Sequence, residues 1–268
     1  MCNIDLTPKQ RQLRKEYNRL RQEFAKYFSL HQEMTMHKEP LLTALFLNKV
    51  GQKYYEVFCL QTELVMLKRK MELLQAYVNR NEKPNLISVD KTIEKEFEEY
   101  AKKIAEEARR LSIANEYLKA PILSKEDSKL LRELYYTIAK LLHPDVNPQV
   151  TEFEKVLFLK AQIAYEKSDL EELKQIMASI KLNDKNILIN EESLESSIKN
   201  LRQRIANLKL KIEKLEQTFP FIHRDNLQNQ EWIDNENEKS EERISQLSQD
   251  IEKYKNYITL LEEWQPTS

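Results

Sequence analysis

Four histidines and two cysteines are the residues from which metal or nucleophilic chemistry could be built in this 268-residue chain. His31, His37 and His223 have no carboxylate or cysteine partner at a coherent ligand spacing, and Cys2 and Cys59 stand alone, so neither a metal centre nor a disulfide framework is expected. Cys59 reads as a small apolar helix residue. No Ser-His-Asp arrangement, no cysteine paired with a base and no acid pair in an apolar pocket can be assembled from the spacing. The chain is therefore expected to be neither an enzyme nor the holder of a cofactor. The fourth histidine differs, because it opens the run His143-Pro144-Asp145.

That triplet lies within Leu141-Leu142-His143-Pro144-Asp145-Val146-Asn147-Pro148, where two prolines, an aspartate and an asparagine force a tight, rigid loop. Before it, Leu131, Leu134, Tyr135, Ile138 and Leu142 fall on one helical face; after it, Val156, Phe158, Ala161, Ala164 and Tyr165 can pack against them. An antiparallel hairpin with the triplet at its tip is the expected result. Helix starts are marked by Ser124 with Asp127, Thr151 with Glu154, and Ser168 with Glu171. Two roles fit the triplet. It is either a rigid loop presenting side chains to a partner, or a histidine placed favourably at the end of a helix dipole with an aspartate organising the turn.

The stretch 134–148, Leu-Tyr-Tyr-Thr-Ile-Ala-Lys-Leu-Leu-His-Pro-Asp-Val-Asn-Pro, with 158–166, Phe-Leu-Lys-Ala-Gln-Ile-Ala-Tyr-Glu, resembles the J domain of DnaJ-type co-chaperones. The resemblance covers about residues 117–180. It implies that His143, Pro144 and Asp145 dock on a DnaK-type heat-shock chaperone and trigger its ATP hydrolysis. Lys140, Arg132 and Lys129 would supply the positive charge of the docking face. Tyr136 and Thr137 stand where the family usually has a basic pair, which implies weaker electrostatic steering. The family's opening Tyr-x-x-Leu-Gly is represented by Tyr117 alone, and no Gly/Phe-rich linker, Cys-x-x-Cys module or sheet-rich client-binding region is present. A specialised co-chaperone is implied; the rival reading is a coiled-coil scaffold whose J-like hairpin stimulates nothing.

The elements that would position the loop are helices. One glycine, Gly51, and 32% charged residues leave too little turn chemistry for a sheet or a phosphate-cradling loop. Leu13, Tyr17, Leu20, Phe24, Tyr27 and His31 alternate in steps of four and three, predicting a helix over about 8–35. Pro40 is expected to end it, and a second stripe from Val50 through Tyr54, Val57, Leu64, Leu67, Met71, Leu74 and Val78 to fold back antiparallel on the first. A third helix runs from about Asp90 to Leu118. Beyond the central module, Leu194, Ile198, Leu201, Ile205, Leu208, Ile212 and Leu215 form a heptad stripe; Phe219-Pro220-Phe221 stops it. Ile244, Leu247, Ile251, Tyr254, Ile258 and Leu261 form its expected antiparallel partner, with Asn237 and Ser240 as polar groups near the turn.

The fold class expected is therefore all-α: helical hairpins and antiparallel coiled coils around a J-domain-like hairpin. The parts are an N-terminal arm over 1–116, the J-like module over 117–182 and a C-terminal hairpin over 183–268. Net charge −1, with both signs interspersed, lacks the basic footprint of nucleic-acid binding. No apolar run is long enough for a bilayer, and the polar first twenty residues contain no signal-peptide core, so a cytoplasmic location is expected. The arms are left for client or adaptor binding, or for pairing between chains as a homodimer.

Overall fold

A computed structural model describes residues 7–120, 123–180 and 191–266. All regular structure among them is helical, in agreement with the all-α expectation. The chain divides into two compact units, one of Met1–Pro40 with Pro121–Ile222, the other of Leu41–Ala120 with His223–Ser268. No described helix is long and apolar enough to cross a membrane.

In the first unit, α1 (Pro8–Glu33) opens with a reciprocal cap in which Thr7 and Gln10 each satisfy the other's backbone N–H. Its partner is α8 (Glu191–Glu216). Tyr17, Leu20 and Phe24 of α1 are buried with Leu194, Ile198, Leu201 and Ile205 of α8. Lys9 pairs with Glu195 at 3.0 Å, Glu16 with Arg202, and Glu23 with Lys209 at 2.8 Å. Residue numbers rise together along both helices in steps of seven, so the two run parallel, with the ladder joining the g positions of α1 to the e positions of α8.

The central segment packs beside this pair. It comprises α5 (Lys125–Leu142), capped by Ser124; α6 (Glu152–Glu166), opened by the capping box of Thr151 and Glu154; and α7 (Leu170–Ser179). Tyr135 of α5 stacks on Tyr165 of α6 with ring centres 4.1 Å apart, and His143 meets Phe158 at 5.0 Å, which fixes α5 and α6 as antiparallel. Leu131, Ile138, Leu142, Ala161, Ala164, Leu173 and Ile176 complete this core, and Phe28 and Met36 reach it from the N-terminal segment.

In the second unit, α3 (Gln52–Asn79) packs on α9 (Gln230–Glu262) and on α4 (Leu86–Lys119). Glu63 pairs with Lys255 at 2.6 Å and Lys70 with Glu262 at 2.9 Å, so α3 and α9 are again parallel. Arg69 pairs with Glu96 at 2.9 Å and Lys70 with Asp90 at 3.0 Å, so α4 runs antiparallel to α3. Asn237, expected near the turn of a C-terminal hairpin, instead donates through Nδ2 to the Lys49 carbonyl at 3.1 Å, and Ser240 is buried with its hydroxyl bonded to Glu236 O.

Several expectations change. Pro40 does not end the first helix: it is the second residue of α2 (Glu39–Phe46), and no non-helical residue separates Pro8 from Asn79. A π turn over Met34–Lys38 immediately precedes α2, and such a widened turn shifts the carbonyls with which a proline ring clashes and for which it has no N–H. A second π turn spans Leu47–Gly51. In place of the antiparallel first and second helices, and of a C-terminal hairpin over 183–268, the main pairs are α1 with α8 and α3 with α9. Residues 117–119, expected to open the J-like module, belong to α4, and the helix packed on the hairpin of α5 and α6 is α1. The cap of α7 is Asp169, one residue beyond Ser168, whose φ of 57° turns the chain between α6 and α7.

The seam outweighs the ladder. Leu201, 2% exposed, is expected to cost about 2–5 kcal/mol when changed to alanine. Arg202→Ala removes one exposed ion pair and should cost less than about 1 kcal/mol. Urea unfolding of the two variants should separate them.

Candidate functional site

The loop that the sequence singles out is built from the C-terminal end of α5. His143 N–H donates to the Ala139 carbonyl at 3.0 Å, which extends the last turn, and Pro144 then prevents its continuation. The chain turns back through Val146 N–H and Asn147 N–H, both donating to the His143 carbonyl, at 3.1 and 3.0 Å. Asn147 closes the turn. Its side-chain amide donates to the Lys140 carbonyl at 3.0 Å and to that of Leu141, satisfying carbonyls that the end of α5 leaves open.

The side chains of this loop are directed inward. His143 is 12% exposed at its side chain and stands edge-on to three phenylalanines: Phe28 at 4.5 Å, Phe24 at 5.0 Å and Phe158 at 5.0 Å between ring centres. Its Nδ1 accepts the Asp145 backbone N–H at 3.1 Å, so the ring proton sits on Nε2. Burial, aided by the nearby Arg204 cation, pushes the imidazole down to about 4, and the ring is neutral near pH 7. The Asp145 carboxylate, 4.0 Å from His143 Nδ1, consequently finds its counter-ion in Arg204 of α8. Val146 is fully buried in the seam of α1 and α8. The Tyr17 hydroxyl donates to the Val146 carbonyl at 3.3 Å, and Arg21 of α1 donates to Asn147 Oδ1.

The expected docking face of α5 has a different character. Lys129 is exposed and lies 3.8 Å from Glu133 on the same helix. Arg132, about half exposed, lies 3.6 Å from Glu33 of α1. Lys140, half-buried, has no charged partner among the described residues. All three belong to the helix that ends at His143, but two of the three charges are balanced within the unit.

Tyr17, Arg21, Phe24, Phe28 and Arg204 complete the surroundings of the loop; Tyr17 and Phe24 were legible only as members of the first helical stripe, and Arg21, Phe28 and Arg204 were not singled out. Phe28 nevertheless left a trace in the sequence. With Tyr17 and Phe24 at a positions, Arg21 and Phe28 fall at e, and Arg204 falls at g of α8; a large apolar side chain at e widens the stripe beyond a two-stranded seam. Val156, expected in the hairpin core, is half exposed instead.

The depressed His143 pKa has a consequence for stability. The unfolded chain binds a proton on this histidine below about pH 6.5, and the folded chain binds it only near pH 4, so stability falls as pH drops between those values. Burial also lowers His31 and His37, which act in the same direction. The urea midpoint is therefore expected to fall from pH 7 to pH 4.5, and His143→Gln to flatten that slope without abolishing it. Equal slopes in the two proteins would contradict the buried, neutral imidazole. At neutral pH, Asn147→Ala should destabilise the first unit by about 1–3 kcal/mol, since Arg21 and two helix-end carbonyls lose their partner.

Comparison of the chain with family models, with curated proteins and with solved structures found no match.

Proposed function

We propose that this chain is a J-type co-chaperone that acts in the cytoplasm on a DnaK-type heat-shock chaperone, stimulating its ATP hydrolysis through His143, Pro144 and Asp145. The observation that supports this reading is the antiparallel pair α5 and α6 with that triplet at the turn between them. Lys129, Arg132 and Lys140 on the preceding helix contribute the basic part of the docking surface. The chain itself performs no chemistry in this reading, and the coiled-coil segments carry a client or adaptor. Because Asp145 is paired with Arg204 and His143 is packed against Phe24 and Phe28, docking first requires the loop to leave α1 and α8. The resting chain is then a weak stimulator, and loosening that seat strengthens it.

The same burial favours a second reading. A loop whose valine fills a helix seam and whose asparagine caps a helix end has a structural role of its own, and the chain is then a coiled-coil scaffold with a non-stimulating hairpin.

Single-turnover ATP hydrolysis by a DnaK-type chaperone from the same source separates the two. Weak stimulation by the wild-type chain is expected. It should rise several-fold with Arg204→Glu, which places a repelling carboxylate beside Asp145, and disappear when His143→Gln is introduced in either background. No stimulation by the wild type or by Arg204→Glu, while a competent J protein works in the same assay, would leave the scaffold.

A further inference from the structure

Helix α6 has two apolar faces. Leu157, Phe158, Ala161, Ala164 and Tyr165 are buried in the core that it forms with α5 and α7. On the opposite side, Phe153, Val156, Leu159 and Ile163 are 67, 50, 58 and 52% exposed. Steps of three, three and four keep these four side chains on one strip along the helix. A contiguous apolar strip on the order of a few hundred Å² is rarely left bare on a protein surface without an interaction to serve. The occupant is indicated by the charges beside it. Along one edge Lys160 and, just past the end of α6, Lys167 lie seven residues apart, both exposed and neither with a charged partner among the described residues, while the other edge carries Glu152, paired with Lys155 at 2.6 Å, and the exposed Glu166.

We infer that the outer face of α6 is a docking site for an amphipathic helix of another protein, its apolar strip bordered along one edge by carboxylates seven residues apart. A helix of about four turns matches the length of α6. Its apolar side chains would cover Phe153, Val156, Leu159 and Ile163, and its acids would face Lys160 and Lys167. A second copy of α6 fits less well. Paired antiparallel about the middle of the strip, two copies would bring their Lys160 side chains onto the same edge within about one helical turn, where like charges repel. The site uses neither the His143 loop nor the basic face of α5, so it is independent of the co-chaperone reading.

The test uses the full chain and two fluorescein-labelled helical peptides of about eighteen residues, alike in a leucine strip and differing only in glutamate or lysine along one edge. Fluorescence anisotropy should show the glutamate peptide bound at least tenfold more tightly than the lysine peptide. Lys160→Glu with Lys167→Glu should reverse that preference, and Leu159→Asn with Ile163→Asn should abolish binding of both while leaving the helical circular dichroism unchanged. Equal binding of the two peptides, no saturable binding, or a preference unmoved by the charge reversal overturns the inference. Retention on phosphatidylglycerol vesicles in place of peptide binding would assign the strip to a membrane surface. Self-association abolished by the Leu159 and Ile163 changes would assign it to a second copy. Either result would equally overturn it.

Discussion

The parallel seam between α1 and α8 is the contact on which the candidate site depends. Its a and d positions from Tyr17 to Phe24 and from Leu194 to Ile205 are apolar and buried, and its ladder from Lys9–Glu195 to Glu23–Lys209 occupies one edge. The apolar layers carry the stability, since each buried side chain is worth roughly 1.5–3 kcal/mol, and exposed ion pairs chiefly set orientation and register. The opposite edge carries Arg21, Phe28 and Arg204, and the His143 loop is seated there. Val146 enters the seam itself, so the loop is part of the packing that holds the two helices together.

Seating a loop in this way requires its polar groups to be matched, and the residue types of the tip do so individually. Asn147 supplies donors to the end of α5 and an acceptor to Arg21. Asp145 has a guanidinium, and the neutral His143 ring has an N–H donor on one nitrogen and phenylalanine edges around it. Histidine suits this position because its charge can be given up. A lysine there would have to keep its charge among aromatic rings or lose its proton at considerable cost. The side chains at the tip of this hairpin are thereby the ones that close the unit.

The sequence disclosed local features well and long-range ones poorly. The seven-residue stripes of α1, α8 and α9, the caps at Thr151 and Ser124, and the hairpin flanked by Tyr135 and Tyr165 follow from residues within a few turns of each other. Helix direction does not. A stripe such as Leu194 to Ile212 states that a partner exists but not whether it runs parallel, and short links made the antiparallel arrangement the natural expectation. The deciding charges, Glu16 with Arg202 and Glu63 with Lys255, are informative only when segments 186 and 192 residues apart are set side by side. His143 posed the same difficulty in the site. Its rigid loop was readable, but its burial depends on Phe24 and Phe28, more than a hundred residues earlier in the chain.

The two widened turns bear on how this long helical run keeps a single repeat. If the four-three alternation from Leu13 to His31 is continued at seven-residue intervals, its later positions fall at residues 48, 52 and 55, whereas the apolar stripe resumes at Val50, Tyr54 and Val57. The lag is two residues. There are two π turns, at Met34–Lys38 and Leu47–Gly51, and each takes up one residue more than an α turn. The two extra residues equal the two-residue lag, so each bulge corresponds to one residue inserted into the heptad repeat of the sequence.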